Sequence, residues 1–233
     1  MEIYTLKNVA FSLQEQKILN EITFSVNKGE WVVLFGPSGS GKTTLLKLLK
    51  NMLSVGEQEG EISYKGQLLA DTSSYTLAKE IGYVSQIPEQ QIVMDEVWHE
   101  LAFGLENLGT PPAIIRTKIA EIANFFGIQH WFHQKTMSLS GGQKQLLNLA
   151  AVLVMEPEVL ILDEPTSQLD PIAAAEFIGV LNKVHKQLGI TIILTEHRLE
   201  EVLPLCDRAA YLKEGKIHCI DTPKTLAAKL NAD

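Results

Sequence analysis

Phe35-Gly36-Pro37-Ser38-Gly39-Ser40-Gly41-Lys42-Thr43-Thr44 decides how the rest of this chain is read. The stretch fits G-x-x-x-x-G-K-[ST], a pattern that carries meaning only between a strand and a helix. Both flanks comply. Trp31 to Phe35 is a short apolar run of buried-strand type, and Leu45-Leu46-Lys47-Leu48-Leu49 lies in a helix expected from Lys42 to Leu53. Glycines 36, 39 and 41 let the backbone fold back with several N–H groups pointing inward, an anion nest at a helix N-terminus. Pro37, Ser38, Ser40 and Thr44 complete the loop around the phosphates. Lys42 would reach the β- and γ-phosphates, and the Thr43 hydroxyl would sit on Mg²⁺. A chain of this length matches the pattern by chance roughly one time in a hundred. The strand-loop-helix setting lowers that figure, so the loop implies binding of a nucleoside triphosphate.

Composition narrows the class. The chain has 233 residues, enough for one domain with an inserted subdomain, and 45 % of them are apolar. Twenty basic residues against 28 acidic give a net charge of −8, which argues against a nucleic-acid partner and against tight binding to anionic lipid. Leu149 to Met155 is the longest approach to a membrane-spanning run, and Glu156-Pro157 ends it. The first residues, MEIYTLKNV, lack the plan of a signal peptide. Cys206 and Cys219 stand in no metal or redox spacing and suit a reduced compartment, so a cytoplasmic protein is expected.

Along the chain, residues 1–30 alternate as strands, and Asn27-Lys28-Gly29-Glu30 turns into the loop strand. Gly56 to Gly60 reads as a loop, and Lys65-Gly66 as a hairpin turn between Glu61–Tyr64 and Gln67–Leu69. Ile81 to Ser85 reads as a buried strand. From Met94 to about Met155 the periods are helical. Val97, Leu101 and Leu105 share one face, Ile115, Ile119, Ile122 and Phe126 another, and Pro111-Pro112 divides the two helices. Strands return at 159–162 and 191–195, with a helix from Pro171 to about Leu188 between them. Strands alternating with helices around a phosphate loop predict an α/β fold with a mostly parallel sheet. The expected division is a core of 1–86 and 157–233, with a helical insertion over 87–156.

Val159-Leu160-Ile161-Leu162-Asp163-Glu164 delivers a carboxylate to the sheet edge where the phosphate loop opens. Asp163 suits the Mg²⁺ shell, and Glu164 could polarise an attacking water. Leu139-Ser140-Gly141-Gly142-Gln143 offers a second anion site, built from the serine and the glycine N–H groups at a helix start.

The phosphate loop, Gln86, Leu139–Gln143, the Asp163-Glu164 pair, Ser167-Gln168-Leu169-Asp170 and His197 follow one another in the order found in the ATP-binding subunits of ABC transporters. The chain resembles that family over nearly its whole length. The resemblance implies a RecA-like P-loop NTPase core with an antiparallel β part, ATP and Mg²⁺ as ligands, and ATP hydrolysis coupled to transport. Gln86 would meet Mg²⁺ or the water, Glu164 would activate the water, and His197 would sense the γ-phosphate. Ser140, Gly141, Gly142 and Gln143 would close on ATP held by a second such subunit, head to tail, with Asp170 in a loop at that interface. An integral membrane component would hold the pair at the inner face of the membrane.

Two phrases, 86–109 and Met155-Glu156-Pro157-Glu158-Val159-Leu160, resemble the energy-coupling-factor ATPases, which drive uptake of vitamins and transition metals. Three positions depart from the family pattern. Leu13 stands where an aromatic usually stacks on adenine, so weaker base selectivity is expected. Leu146 stands where arginine is usual, and Asn148 where alanine is common.

Other readings fare worse. There is no long heptad run of the soluble DNA-repair relatives, no second cassette, and no guanine reader (Asn182-Lys183-Val184-His185 fails the pattern). His130 and His133 read as surface residues, Trp31 and Trp98 as packing residues, and Glu196, Glu200 and Glu201 as a solvated helix start.

Overall fold

The computed structural model describes residues 1–230. Two long strands, β1 (Glu2–Leu13) and β2 (Gln16–Asn27), pair antiparallel about Gln14 and Glu15, which both take positive φ. That conformation suits a two-residue hairpin turn, whose twist must match the strands. β3 (Trp31–Phe35) is wholly buried and feeds the phosphate loop and α1 (Lys42–Leu49). Next come β4 (Glu57–Tyr64), β5 (Gln67–Leu68), α2 (Ser74–Glu80) and β6 (Ile81–Val84). A helical stretch follows: α3 (Val97–Asn107), α4 (Pro112–Phe126) and α5 (Gly141–Leu153). The chain returns through β7 (Val159–Asp163), α6 (Pro171–Leu188), β8 (Thr191–Thr195) and the short α7 (Leu199–Val202). It ends in β9 (Arg208–Lys213), β10 (Lys216–Asp221) and α8 (Pro223–Leu230).

Two sheets result. The larger has the order β10-β9-β3-β8-β7-β6, parallel throughout except for β10 at its edge; the smaller is antiparallel, β2-β1-β4-β5. Strands β3, β7 and β8 are buried on both faces, as continuous apolar runs in a parallel sheet require. Alternate residues serve two cores. Leu160, Leu162, Ile192 and Leu194 face α3 to α6, whereas Val159, Ile161, Ile193 and Leu34 face α1 and the antiparallel sheet. This is the α/β architecture the alternation predicted. The shared apolar faces of α3 and α4 are buried as expected, with Phe126 only partly covered.

The structure differs from the sequence reading at four places. α1 stops at Leu49, because Asn51 adopts φ 58° and breaks the helix in a conformation that asparagine tolerates. The expected loop at 56–60 is largely strand: Glu57, Gln58 and Glu59 pair with Ser12, Phe11 and Ala10. Their side chains are exposed and polar, so neighbour pairing, invisible in the local sequence, makes the strand. α2 and the β9–β10 hairpin were not anticipated either. The hairpin turns at Glu214-Gly215, both at positive φ, a turn signal that polar flanks obscured.

Candidate active site

The phosphate loop is shaped from beneath by β9. Gly36 has φ 150°, and a Cβ there would lie 1.8 Å from the Leu212 carbonyl oxygen, so no other residue fits without moving that strand. The hairpin turn also holds the loop: the Gly215 N–H donates to the Ser40 carbonyl at 3.2 Å, and Gly215 accepts from the Asn20 N–H at 2.8 Å. Above the loop opens a cavity of about 350 Å³ lined by Ser38, Gly39, Gly41, Lys42, Thr43 and Thr44 from the loop, by Glu164, and by Gln16 and Ile18 of β2.

Leu13 is not among the lining residues. It ends β1 opposite Gln16 and is 38 % exposed, so from this hairpin Gln16 and Ile18, unremarked in the sequence, flank the phosphate loop.

Acidic groups gather where β7 and β8 end. The Thr43 hydroxyl donates to Asp163 Oδ1 at 3.1 Å, and the Thr195 hydroxyl donates to the same oxygen at 2.9 Å. Tyr83 Oη donates to the other oxygen, Oδ2, at 3.2 Å. Burial first, then the neighbouring Asp163 carboxylate, pushes the Tyr83 phenol above its usual range, so it stays a donor. Tyr83 and Thr195 were read only as parts of apolar strands; their position at the strand ends was the available signal.

Glu164 takes φ 45°, rare for a side chain of its size and held here by two bonds from its N–H to Thr195, at 2.9 Å to Oγ1 and 3.1 Å to the carbonyl oxygen. The strained turn throws its carboxylate toward the loop. Oε1 lies 2.8 Å from His197 Nε2 and 4.0 Å from Lys42 Nζ, and Oε2 accepts from Gln86 Nε2 at 3.2 Å. Lys42, 5 % exposed, donates meanwhile to the carbonyls of Gly36 and Pro37 at 3.0 and 3.2 Å. The structure thus brings Lys42, Thr43, Gln86, Asp163, Glu164 and His197 together. Thr43 Oγ1 and Asp163 Oδ1 form a hard-oxygen pair at the mouth of an amide nest, a donor set that fits Mg²⁺ beside a phosphate.

The Gln86 segment is itself held in place. Gln91 spans it, accepting from the Ser85 N–H at 2.9 Å and donating to the Tyr83 carbonyl at 2.9 Å. From α5, Gln145 donates to the Ser85 carbonyl at 3.1 Å and Asn148 to that of Pro88 at 3.2 Å, both side chains fully buried. The unusual Asn148 therefore has a partner that an alanine would lack.

Ser140 to Gln143 do not join this cavity. Ser140 caps α5, its hydroxyl accepting from the Gln143 N–H at 3.3 Å while Gln143 Oε1 accepts from the Ser140 N–H at 2.8 Å. This reciprocal cap commits the Gln143 side chain to the helix end. Ser140, Gly142 and Gln143 line a separate cavity of about 600 Å³ against α6. Asp170 caps α6, its Oδ1 accepting from the N–H groups of Ile172 and Ala173 at 2.9 and 3.0 Å.

Glu196 corrects another expectation. It is 2 % exposed and bonded to Thr166, not part of a solvated helix start. A strand-end carboxylate and a helix-start carboxylate look alike until the neighbouring loop is placed. His130 and His133 are exposed, and among the described residues no group of three or more acidic, histidine or cysteine side chains could hold a metal. Trp31 is fully buried and Trp98 packs on Phe132, both as packing residues. No helix among the described residues is long and apolar enough to cross a membrane.

Comparison with known proteins agrees with this geometry. The family model described as ABC transporter matches residues 19–167. An ABC transporter ATP-binding protein of Bacillus anthracis is 52 % identical over 97 % of this chain, which spans only 41 % of that relative's length. The energy-coupling factor transporter ATP-binding protein EcfA1 of Streptococcus mutans is 37 % identical over 98 % of this chain and 81 % of its own. Among solved structures, CbiO1 of Clostridium perfringens, part of the ABC transporter complex CbiONQ, superposes with a TM-score of 0.89 at 32 % identity, covering 99 % of this chain and 92 % of that one. With its phosphate loop, paired carboxylates and capped Ser140–Gln143 helix start in the family's order and fold, this chain belongs to the ABC transporter family as an ATP-binding cassette.

Proposed function

We propose that the chain is the ATP-hydrolysing subunit of an energy-coupling-factor type transporter that takes up a vitamin or a transition-metal ion. One observation carries the hydrolytic part of this reading, and the likeness to EcfA1 supports the transporter type. Glu164, His197, Gln86 and Lys42 converge on the cavity above the phosphate loop, while the Ser140–Gln143 cap lines a different cavity. One chain thus holds two half-sites that two chains, arranged head to tail, would complete. The first relatives are more than twice as long as this chain, in keeping with a second cassette joined or separate.

Water attacks the γ-phosphorus in line, its proton passes to Glu164, and the bond from phosphorus to the β-bridging oxygen breaks to release ADP. His197 and Gln86 hold the two carboxylate oxygens of Glu164 in orientation. Loop amides and Lys42 balance the phosphate charge, and Gln16 and Ile18 line the cavity above the loop. Thr43 and Asp163, with Gln86 beside them, would hold Mg²⁺, which would supply positive charge to the phosphates.

The membrane partner has a candidate seat. A groove of about 580 Å³ runs from Thr43 and Asp163 past Gln86, and at its outer part half-exposed Met52 and Ile87 give it apolar surface and Lys47 a charge. Residues 87–156 form the subdomain that carries one wall of this groove and the capped anion site. The chain would lie at the inner face of the membrane through this contact.

Glu164→Gln tests the chemistry. It should bind ATP but retain less than about a hundredth of the turnover, since positioned proton transfer is worth about 10²–10⁴-fold. Turnover above about a tenth of the parent rate would remove Glu164 from the base role. Purification of the tagged chain from its own membranes tests the transport reading: an integral membrane component should accompany it. Recovery without one would favour the second reading, a soluble ABC ATPase.

A further inference from the structure

His197 is bracketed by two side chains that reach the same loop. On one side, Glu196 Oε2 accepts from the Thr166 hydroxyl at 2.7 Å, and its Oε1 accepts from the N–H groups of His197 and Arg198 at 2.8 and 3.4 Å. A carboxylate that is 2 % exposed needs this satisfaction to be tolerated at all. On the other side, Arg198 Nη2 donates to the Leu169 carbonyl at 2.9 Å. Thr166 and Leu169 are buried near the two ends of the segment joining β7 to α6, and Ser167, Gln168 and Asp170 of that segment are exposed. The Ser167 N–H also donates to the Glu164 carbonyl at 3.1 Å.

The 166–170 loop is therefore pinned near both ends to the residues on either side of His197. Apolar packing alone would let such a loop slide; directional bonds at both ends do not. His197 itself is bonded to Glu164, 2.8 Å away, so nucleotide chemistry and loop position share one short chain of bonds.

We infer that Glu196 and Arg198 are positioning residues that fasten the 166–170 loop to the His197 segment, so that engagement of His197 with the nucleotide sets where Ser167, Gln168 and Asp170 are presented. This rests on the proposed head-to-tail pairing of two cassettes, with the Asp170 loop at their interface as the family resemblance implies. The tether makes the loop a reporter of the nucleotide state of its own site. A purely structural role predicts that substitutions lower stability without altering any response to ATP.

The test uses hydrogen exchange of the full chain carrying Glu164→Gln, with and without Mg-ATP. In this parent, ATP should slow exchange of the 166–170 amides by about tenfold or more. Arg198→Met and Thr166→Val should keep ATP affinity within about threefold of the parent yet lose the ATP-dependent protection of this loop. Arg198→Lys and Thr166→Ser, which restore a donor, should recover it. Loop protection unchanged in the first two variants would overturn the inference, as would a parent loop that ignores ATP. Should Thr166→Val fail to fold, the half-buried Arg198→Met and its lysine rescue decide alone. Failure of the underlying function reads differently, as absent ATP binding or absent turnover in the unmodified chain.

Discussion

Tyr83 occupies the position from which a neutral donor can steady the Asp163 carboxylate, proposed above to hold Mg²⁺. Its hydroxyl takes Asp163 Oδ2 while Thr43 and Thr195 share Oδ1, so the carboxylate is oriented from both sides. A hydrogen bond to a charged group is worth about 1.5–3 kcal/mol, so Tyr83→Phe should raise the Mg²⁺ concentration needed for half-maximal ATP binding by roughly tenfold or more. Binding without Mg²⁺ should be unchanged. A titration that finds the same Mg²⁺ dependence in both proteins would reduce the phenol to packing. Lys50 supplies a different residue-scale measurement. It donates to the carbonyls of Leu77 and Ile81, and burial lowers its pKa from 10.5 to about 8. Between those values the unfolded chain binds more protons than the folded one, so Lys50 makes stability rise with pH from about 8 to 10.5, and its penalty is fully present below about 8. Lys50→Met should flatten that rise in melting temperature; an unaltered slope would assign it to other groups.

At the scale of elements, the β9–β10 hairpin is the support that the phosphate loop depends on. Two contacts define it: the close approach of Leu212 beneath Gly36 and the bond from Gly215 to Ser40. Gly215 has φ 73°, and a Cβ on it would meet the Ile18 carbonyl at 2.4 Å. Gly215→Ala should therefore push the turn off β2, with loss of the Ser40 bond. A cost of about 1–2 kcal/mol from the left-handed backbone corresponds to a melting temperature lowered by roughly 2–8 °C in a chain of this size. ATP affinity should fall with it, because the loop amides lose their backing. Lower stability with unchanged affinity would show the loop to be rigid without the hairpin. The α5 helix plays the corresponding part for Gln86, through Gln145 and Asn148.

At the scale of the whole molecule, the separation of the two cavities makes association the expected consequence of ATP binding. Ser140→Arg should leave nucleotide binding to the single chain intact, since Ser140 does not line the cavity above the phosphate loop. It should abolish ATP-driven assembly in the Glu164→Gln background, by placing a bulky cation on the capped helix end of α5. Light scattering distinguishes the two states. Loss of nucleotide binding in the isolated variant would mean that one chain assembles the whole site.

The sequence by itself determined the parts of this protein that local chemistry specifies. Short apolar runs at 31–35, 159–162 and 191–195, bounded by turn residues, read as strands buried on both faces, and Gly36, Gly39, Gly41 and Lys42 between a strand and a helix describe an anion nest. Asp163 and Glu164 were legible because they follow such a strand, and Gln86 and His197 through the order of motifs that resembles the family. The tertiary structure decided whatever depends on a partner distant in sequence. Tyr83 meets Asp163 across 80 positions, Asn148 meets Pro88 across 60, and Glu196 meets Thr166 across 30. A polar side chain carries no mark of whether it will face water or a bond donor. Glu196 was therefore misread, and the hairpin register that brings Gln16 and Ile18 beside the phosphate loop was hidden. Residue type states what a group can bind; only packing states which group arrives to be bound.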